Sequence, residues 1–207
     1  MKSSKKIEHK EQVVETLIAR NRKEWREWLE ANHEIKQSVW LIYHKKKSNI
    51  ETVKYSEAVD EALCFGWIDS KSKSIDEDQY MQFFCKRKKN STWSRVNKEK
   101  IVALIKAGLM TQAGFQVIED AKENGSWTIL DEVESLIIPQ DLEFKFNKSK
   151  TAKSFFVNLS RSDQRNILQW LVLAKTQETR NKRIDEIVAL AEKNLKPKQF
   201  MPVKKKV

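Results

Sequence analysis

YSEAVDEALCFGWIDSKSKSIDEDQYMQFFCKRKKNSTWSRVNKEKI, residues 55–101, changes its hydrophobic period twice, and those changes decide the fold class. From Ser56 the run EAVDEALCF is helical in pattern. Ser56 offers a cap, acids fill the first turn, and Val59, Ala62 and Leu63 share one face. Gly66 stands where a helix ends in the left-handed conformation. The period then drops to two. WIDSKSKSI and YMQFFCKRK flank the acidic turn DED and read as an antiparallel hairpin over 67–75 and 80–88. Alternation sets Trp67, Asp69, Lys71 and Lys73 on one side of the first strand, and Met81, Phe83, Cys85 and Arg87 on one side of the second. From Ser94, a helix cap, the helical period returns with Ile101, Leu104 and Ile105 inward and Gly108 as the stop. Helix, hairpin and helix in succession describe an α+β fold.

Upstream, VVETLIA (13–19) either opens a helix or forms a short strand. Asn21 followed by Glu24 has the spacing of a capping box, which starts a helix there with Trp25, Trp28 and Leu29 on its apolar face. One helix running from 11 to 31 is the competing reading. SVWLIYHKK (38–46), β-branched and aromatic, reads as a strand. Downstream, Thr111 caps a helix over 112–123, and Pro139 fits the first turn of a short one. TAKSFFVNL, DQRNILQWLVLAK capped by Ser162, and QETRNKRIDEIVALAEK capped by Thr176 follow as helices. The expected architecture is a small mixed β-sheet covered by helices, followed by a helical C-terminal lobe. The segments are a disordered basic N-terminus (1–12), an α+β domain (13–130), an acidic linker (131–148), the helical lobe (149–195) and a disordered basic tail (196–207).

Composition narrows the function classes. No apolar run approaches the ~20 residues that span a bilayer, and the basic start MKSSKK has no apolar stretch behind it. A cytoplasmic protein without membrane insertion is expected. Cys64 and Cys85 do not make a disulfide framework, and His9, His33 and His44 lack zinc-ligand spacing. No phosphate-loop, dinucleotide or metalloprotease motif occurs, so no metal or cofactor is expected. The net charge of +11 is concentrated at the ends. Lys2, Lys5, Lys6 and Lys10 face only Glu8, and Lys196, Lys198, Lys204, Lys205 and Lys206 face no acid. Inside the chain the charge is polarised: residues 86–100 are strongly basic and 119–143 strongly acidic, which suits steering of an anion or attraction between two lobes.

The candidate ligand-binding residues are Trp67, Asp69, Arg87, Trp93, Ser94 and Asn97. The hairpin brings Asp69 towards Arg87, and the next helix begins just beyond, with free N–H groups suited to a carboxylate or phosphate. The same residues also have an ordinary reading: a cross-strand ion pair, a core tryptophan and a helix cap. Cys64, at the end of a helix, reads as a buried small hydrophobe.

The 55–101 block, with EWREWLEANH and VWLIYHKK before it and FFVNLSRSDQRNILQWLVLAKTQETRNKRIDEIVALAEKN after it, resembles the YdeI/OmpD-associated, or bacteriocin-protection (OmdA), family over most of 14–194. The resemblance implies a defence label, protection against bacteriocins or cationic antimicrobial peptides, and no reaction or cofactor. Three functions follow as expectations. The first is a non-catalytic stress-protection protein that holds a small anionic ligand or a protein partner on its basic α+β lobe. The others are an enzyme using Asp69 and Arg87 near Trp93, and nucleic-acid binding through 86–100.

Overall fold

Val39, Leu41 and Tyr43 alternate with half-exposed neighbours along SVWLIYH, and this two-residue period organises the sheet. The computed structural model describes residues 14–201. In it four strands, β1 (Thr16–Ile18), β2 (Ser38–His44), β3 (Trp67–Ser74) and β4 (Gln79–Lys86), form a sheet in the order β1-β2-β4-β3. β1 runs parallel to β2, with Leu17 opposite Leu41, and the other pairs are antiparallel. The ambiguous 13–19 segment therefore contains a strand. Helix α1 (Arg22–Asn32) starts afterwards, capped by Asn21 Oδ1 accepting from the Glu24 N–H at 3.0 Å. Glu24 reaches back one residue beyond the cap, accepting from the Arg20 N–H at 2.8 Å.

The hairpin forms as expected, with one correction. The register shifts between Asp69, opposite Phe84, and Ser72, opposite Gln82, so β3 carries an extra residue. A β-bulge of this kind reverses the alternation beyond it. Trp67 and Asp69 share the face of Phe84, whereas Lys73 pairs with Met81 and Lys71 lies over Phe83 and Trp40 on the other face. Arg87 lies just past the end of β4, its N–H donating to Gly66 O at 3.0 Å.

One face of the sheet is covered by α1 and α2 (Tyr55–Cys64). Trp25 of α1 stacks with Trp28, packs on Phe84, and donates Nε1–H to Ala58 O of α2 at 3.0 Å. Lys54, not Ser56, occupies the α2 cap position, its N–H held by the Glu57 carboxylate at 3.3 Å. The α2 C-terminus ends on Gly66 at φ +71°, as the sequence indicates, and its last carbonyls dock on α4 (Gln112–Glu123). There Cys64 O accepts from the Thr111 N–H at 3.1 Å and from Thr111 Oγ1 at 2.7 Å. Of the inward residues expected in α3 (Arg95–Lys106), Ile101 and Leu104 are buried while Ile105 is exposed.

The chain divides into two compact units, and the division falls within α3 and α4. The first comprises the described residues through Lys89 and Glu99–Asp120, the second Asn90–Lys98 and the residues from Ala121 onward. The acidic stretch 131–148 is no linker. It folds into α5 (Asp131–Glu134) and α6 (Gln140–Phe146), and Val133, Leu142 and Phe146 enter the core of the second unit. They pack with α7 (Lys150–Val157), α8 (Arg161–Val172) and α9 (Gln177–Ala191), through Phe156, Leu168, Leu171 and Ile187. Ser160, not Ser162, caps α8, accepting from the Asp163 N–H at 3.1 Å; Thr176 caps α9 as expected. The stretch 196–201 is not the disordered tail expected there, since Lys196 pairs with Asp163 at 2.7 Å and Phe200 packs edge-on against Trp170. The 1–12 segment and 202–207 lie outside the described residues.

Asp141 of α6 and Arg180 of α9 pair through two hydrogen bonds of 2.5 and 2.8 Å. Arg180 thus acts within its own unit. Its hydrogen bonds hold the Asp141 carboxyl below the ordinary range, against the opposing effect of burial. A depressed folded-state pKa gives stability that is present above the unfolded value, about 4, and is lost as pH falls through the folded value. Asp141→Asn is therefore expected to cost about 1 kcal/mol at pH 6, the upper end for a pair with solvent access. The deficit against wild type should shrink below about pH 4. Denaturant titrations of both proteins across that range check it, and a constant deficit would refute the linkage.

Candidate functional site

The chain has three tyrosines, and the first unit gathers all of them. Tyr43 and Tyr80 face each other across β2 and β4, their rings stacked at 5.0 Å and 9°. Tyr55 opens α2 and donates its hydroxyl to Asp69 Oδ2 at 2.6 Å, while Gln82 Nε2 donates to the same oxygen at 3.3 Å. Burial, then the Asp69 hydrogen bond and charge, push the Tyr55 pKa up. Burial, then Tyr80, Tyr55 and Asp69, push up that of Tyr43. Both hydroxyls therefore keep their protons at neutral pH and act as donors. Tyr43 is only 2% exposed, and its hydroxyl has no hydrogen-bond partner among the described residues.

These rings line an open cleft of about 690 Å³, bordered by Arg20, Asn21 and Arg22 at the start of α1 and by the Ile50–Lys54 segment before α2. Arg20, Arg22 and Lys54 are its cations, Glu51 and Glu57 its acids, and His44 is at its wall. Arg22 is held from below. Its Nε donates to Glu61 Oε1 at 2.5 Å, and Arg26 takes the other oxygen at 2.7 Å. Glu61 is buried, 1% exposed, and its hydrogen bond raises the Arg22 pKa despite desolvation. The arrangement places cations at the rim, Arg20, Lys54 and Arg22, each paired with a glutamate, and a stacked aromatic wall inside that carries the buried Tyr43 hydroxyl. That suits a small anion with a flat or apolar body.

The six residues singled out from the sequence are divided between the units. Trp67, Asp69 and Arg87 belong to the first. Trp67 is 1% exposed, edge-on to Trp28, and donates to His33 O at 3.4 Å. Asp69 and Arg87 are within electrostatic reach: burial pushes the buried guanidinium down to about 10, and the Asp69 charge opposes that shift. Trp93, Ser94 and Asn97 belong to the second unit. Trp93 is 1% exposed against Trp127, with ring centroids 4.9 Å apart. Ser94 Oγ accepts from the Asn97 N–H at 3.3 Å, a helix cap. Neither tryptophan is among the residues that line the cleft. Asp69 is hydrogen-bonded into the tyrosine cluster. Cys64 is fully buried, and burial pushes its thiol up to about 11, as its reading as a small hydrophobe anticipates. The signal for the cleft was present at Tyr43, the polar-tipped residue on the otherwise apolar side of β2, whose hydroxyl needs a partner once buried.

Fold and cleft together define a mixed α+β protein with a tyrosine-lined pocket in its sheet-bearing unit and a separate helical unit. Residues 135–194, which lie in the helical unit, match the model of the family described as Bacteriocin-protection, YdeI or OmpD-Associated. Residues 17–117 match the model of a domain of unknown function, DUF8412. The 55–101 block that carries the sequence resemblance thus falls under a different model from the helical part. No curated protein and no solved structure matches the chain. The tyrosine cleft lies wholly within the part matched by the domain of unknown function.

Proposed function

We propose that this protein is a non-catalytic binding protein whose sheet-bearing unit takes up a small anionic ligand in the tyrosine cleft. The Tyr43 hydroxyl carries the reading. It is a protonated donor, buried in the cleft wall, with no acceptor among the described residues. Leaving such a group unpaired costs about 1–3 kcal/mol, and an anionic oxygen reaching it recovers that. Arg20, Arg22 and Lys54 supply the complementary charge. Asp69 favours binding over acid–base chemistry, because its Oδ2 already accepts from Tyr55 and Gln82. The bacteriocin-protection description of the domain at 135–194 supports a stress-protection setting for this binding. No helix among the described residues is long and apolar enough to cross a membrane.

The test is a thermal-shift titration of the full chain with inorganic phosphate, nucleotides and mono- and dicarboxylates, beside Tyr43→Phe. Ligand at ~100 times its dissociation constant adds about 2.7 kcal/mol. Tyr43→Phe is expected to be more stable than wild type without ligand, by about 1 kcal/mol, because an unpaired buried hydroxyl is gone. The same variant is expected to lose most of the ligand-induced shift. If no anion shifts the wild type, or if the variant responds equally, the proposal fails.

A further inference from the structure

The sheet has a second face, and His44, at the end of β2, is the side chain of it that also borders the tyrosine cleft among the described residues. Opposite the side covered by α1 and α2, the strands carry Trp40, Ile42, Ile68, Met81 and Phe83 half-exposed and Ile18 48% exposed. Trp40 and Phe83 pair directly across the two central strands, with ring centroids 5.0 Å apart at 67°. The bulge in β3 turns Lys71 onto this face, its ammonium 5.6 Å from the Trp40 ring and 5.4 Å from the Phe83 ring. Lys73 follows, in register with Met81. Together with His44 these are the charged or chargeable side chains of Lys, Arg, His, Asp and Glu type that the described strands place here, and none is acidic.

We infer that this face binds single-stranded nucleic acid, with bases stacking on Trp40 and Phe83 and phosphates taken by Lys71 and Lys73. Aromatics on adjacent central strands of an open sheet, bordered by cations, match what unpaired bases and their backbone require. Flexible lysine stems let the ammonium groups move from the rings to phosphates when bases take their place. A protein–protein interface is the poorer fit, because lysine is depleted from interface cores and here it crowns the aromatics. The basic run 86–100, the sequence's own candidate for this role, is divided between the two units, and its tryptophan is buried.

Fluorescence anisotropy of the full chain tests the inference with labelled oligo(dT) and oligo(U) of about twelve nucleotides and a duplex of the same length, a span within known single-strand site sizes. Both single strands are expected to bind more tightly than the duplex. Phe83→Ala, and the milder Phe83→Leu that keeps an apolar side chain, should weaken single-strand binding at least ~5-fold by removing a stack. Lys71→Gln with Lys73→Gln, both on the surface, should reduce the slope of log K against log salt by about 1.4. Three results overturn the inference. They are binding unchanged in a folded Phe83→Leu protein, a duplex bound as tightly as the single strands, or no oligonucleotide binding. The last, joined to a Phe83-dependent dimer in sedimentation, would assign the face to a second copy of the chain.

Discussion

Glu61→Ala is expected to lower the unfolding free energy by about 3 kcal/mol and to disorganise the rim of the tyrosine cleft. Removing one partner of a buried ion pair costs about 3–5 kcal/mol, because the remaining charge loses its compensation. The low end applies since Arg22 and Arg26 keep partial solvent access, with side chains 39% and 27% exposed. Glu61 lies in the last turn of α2, where the helix dipole disfavours an acid. Its burial there is explained by the two guanidiniums, which together satisfy both carboxylate oxygens. Arg26 is fixed further by Leu109 O at 3.1 Å and by the Phe65 ring at 5.2 Å, whereas Arg22 lines the cleft and depends on Glu61 for its position. Glu61→Gln, which keeps one acceptor, should lose less stability than alanine. Urea titrations measure the stability, and the anion-induced thermal shift measures the cleft. A Glu61→Ala protein as stable as wild type would show that the pair is no more than a solvated surface contact.

The parts of this fold legible in the sequence are those set by local spacing. Asn21, Thr111 and Thr176 cap helices where their positions indicate, and Gly66 ends α2 with a positive φ. The hairpin follows from alternation up to Asp69. Beyond that residue a single inserted position reverses the faces, and no residue type in DSKSKS marks where the insertion falls. The 131–148 stretch was obscured differently. Its acids dominate the composition, yet Val133, Leu142 and Phe146 are interspersed among them and fill a core. The cleft was least legible, because Tyr43, Tyr55 and Tyr80 are brought together by strand pairing and by a helix start, which are relations of tertiary structure. Trp67 and Trp93 drew notice as large aromatics beside polar groups. Size alone does not separate a ligand platform from a core anchor, and burial assigns both to the core.

Gly114→Ala is expected to destabilise the first unit by about 3 kcal/mol, although helix propensity alone argues the other way. Gly114 lies in the first turn of α4, and alanine at an unconstrained helical position gains about 1 kcal/mol over glycine. Here an added Cβ would lie 2.3 Å from Cys64 O, 2.9 Å from Cys64 C and 2.7 Å from Met110 Cε. The methionine tip can move. The Cys64 carbonyl cannot move cheaply, because Thr111 binds it through both its N–H and its hydroxyl. Relief requires α4 to withdraw from the end of α2, stretching two hydrogen bonds of about 1 kcal/mol each and adding overpacking of about 1–3 kcal/mol. Those losses exceed the propensity gain. Gly108 supplies the contrast: its φ is +67°, yet nothing lies within 4 Å of the added Cβ, so Gly108→Ala should cost only the left-handed penalty of about 1–2 kcal/mol. Urea denaturation of the two variants should therefore rank the glycine of ordinary φ as the more costly to replace. A Gly114→Ala protein at least as stable as Gly108→Ala would mean that α4 yields to the methyl group, and that the junction of α2 and α4 is looser than its hydrogen bonds imply.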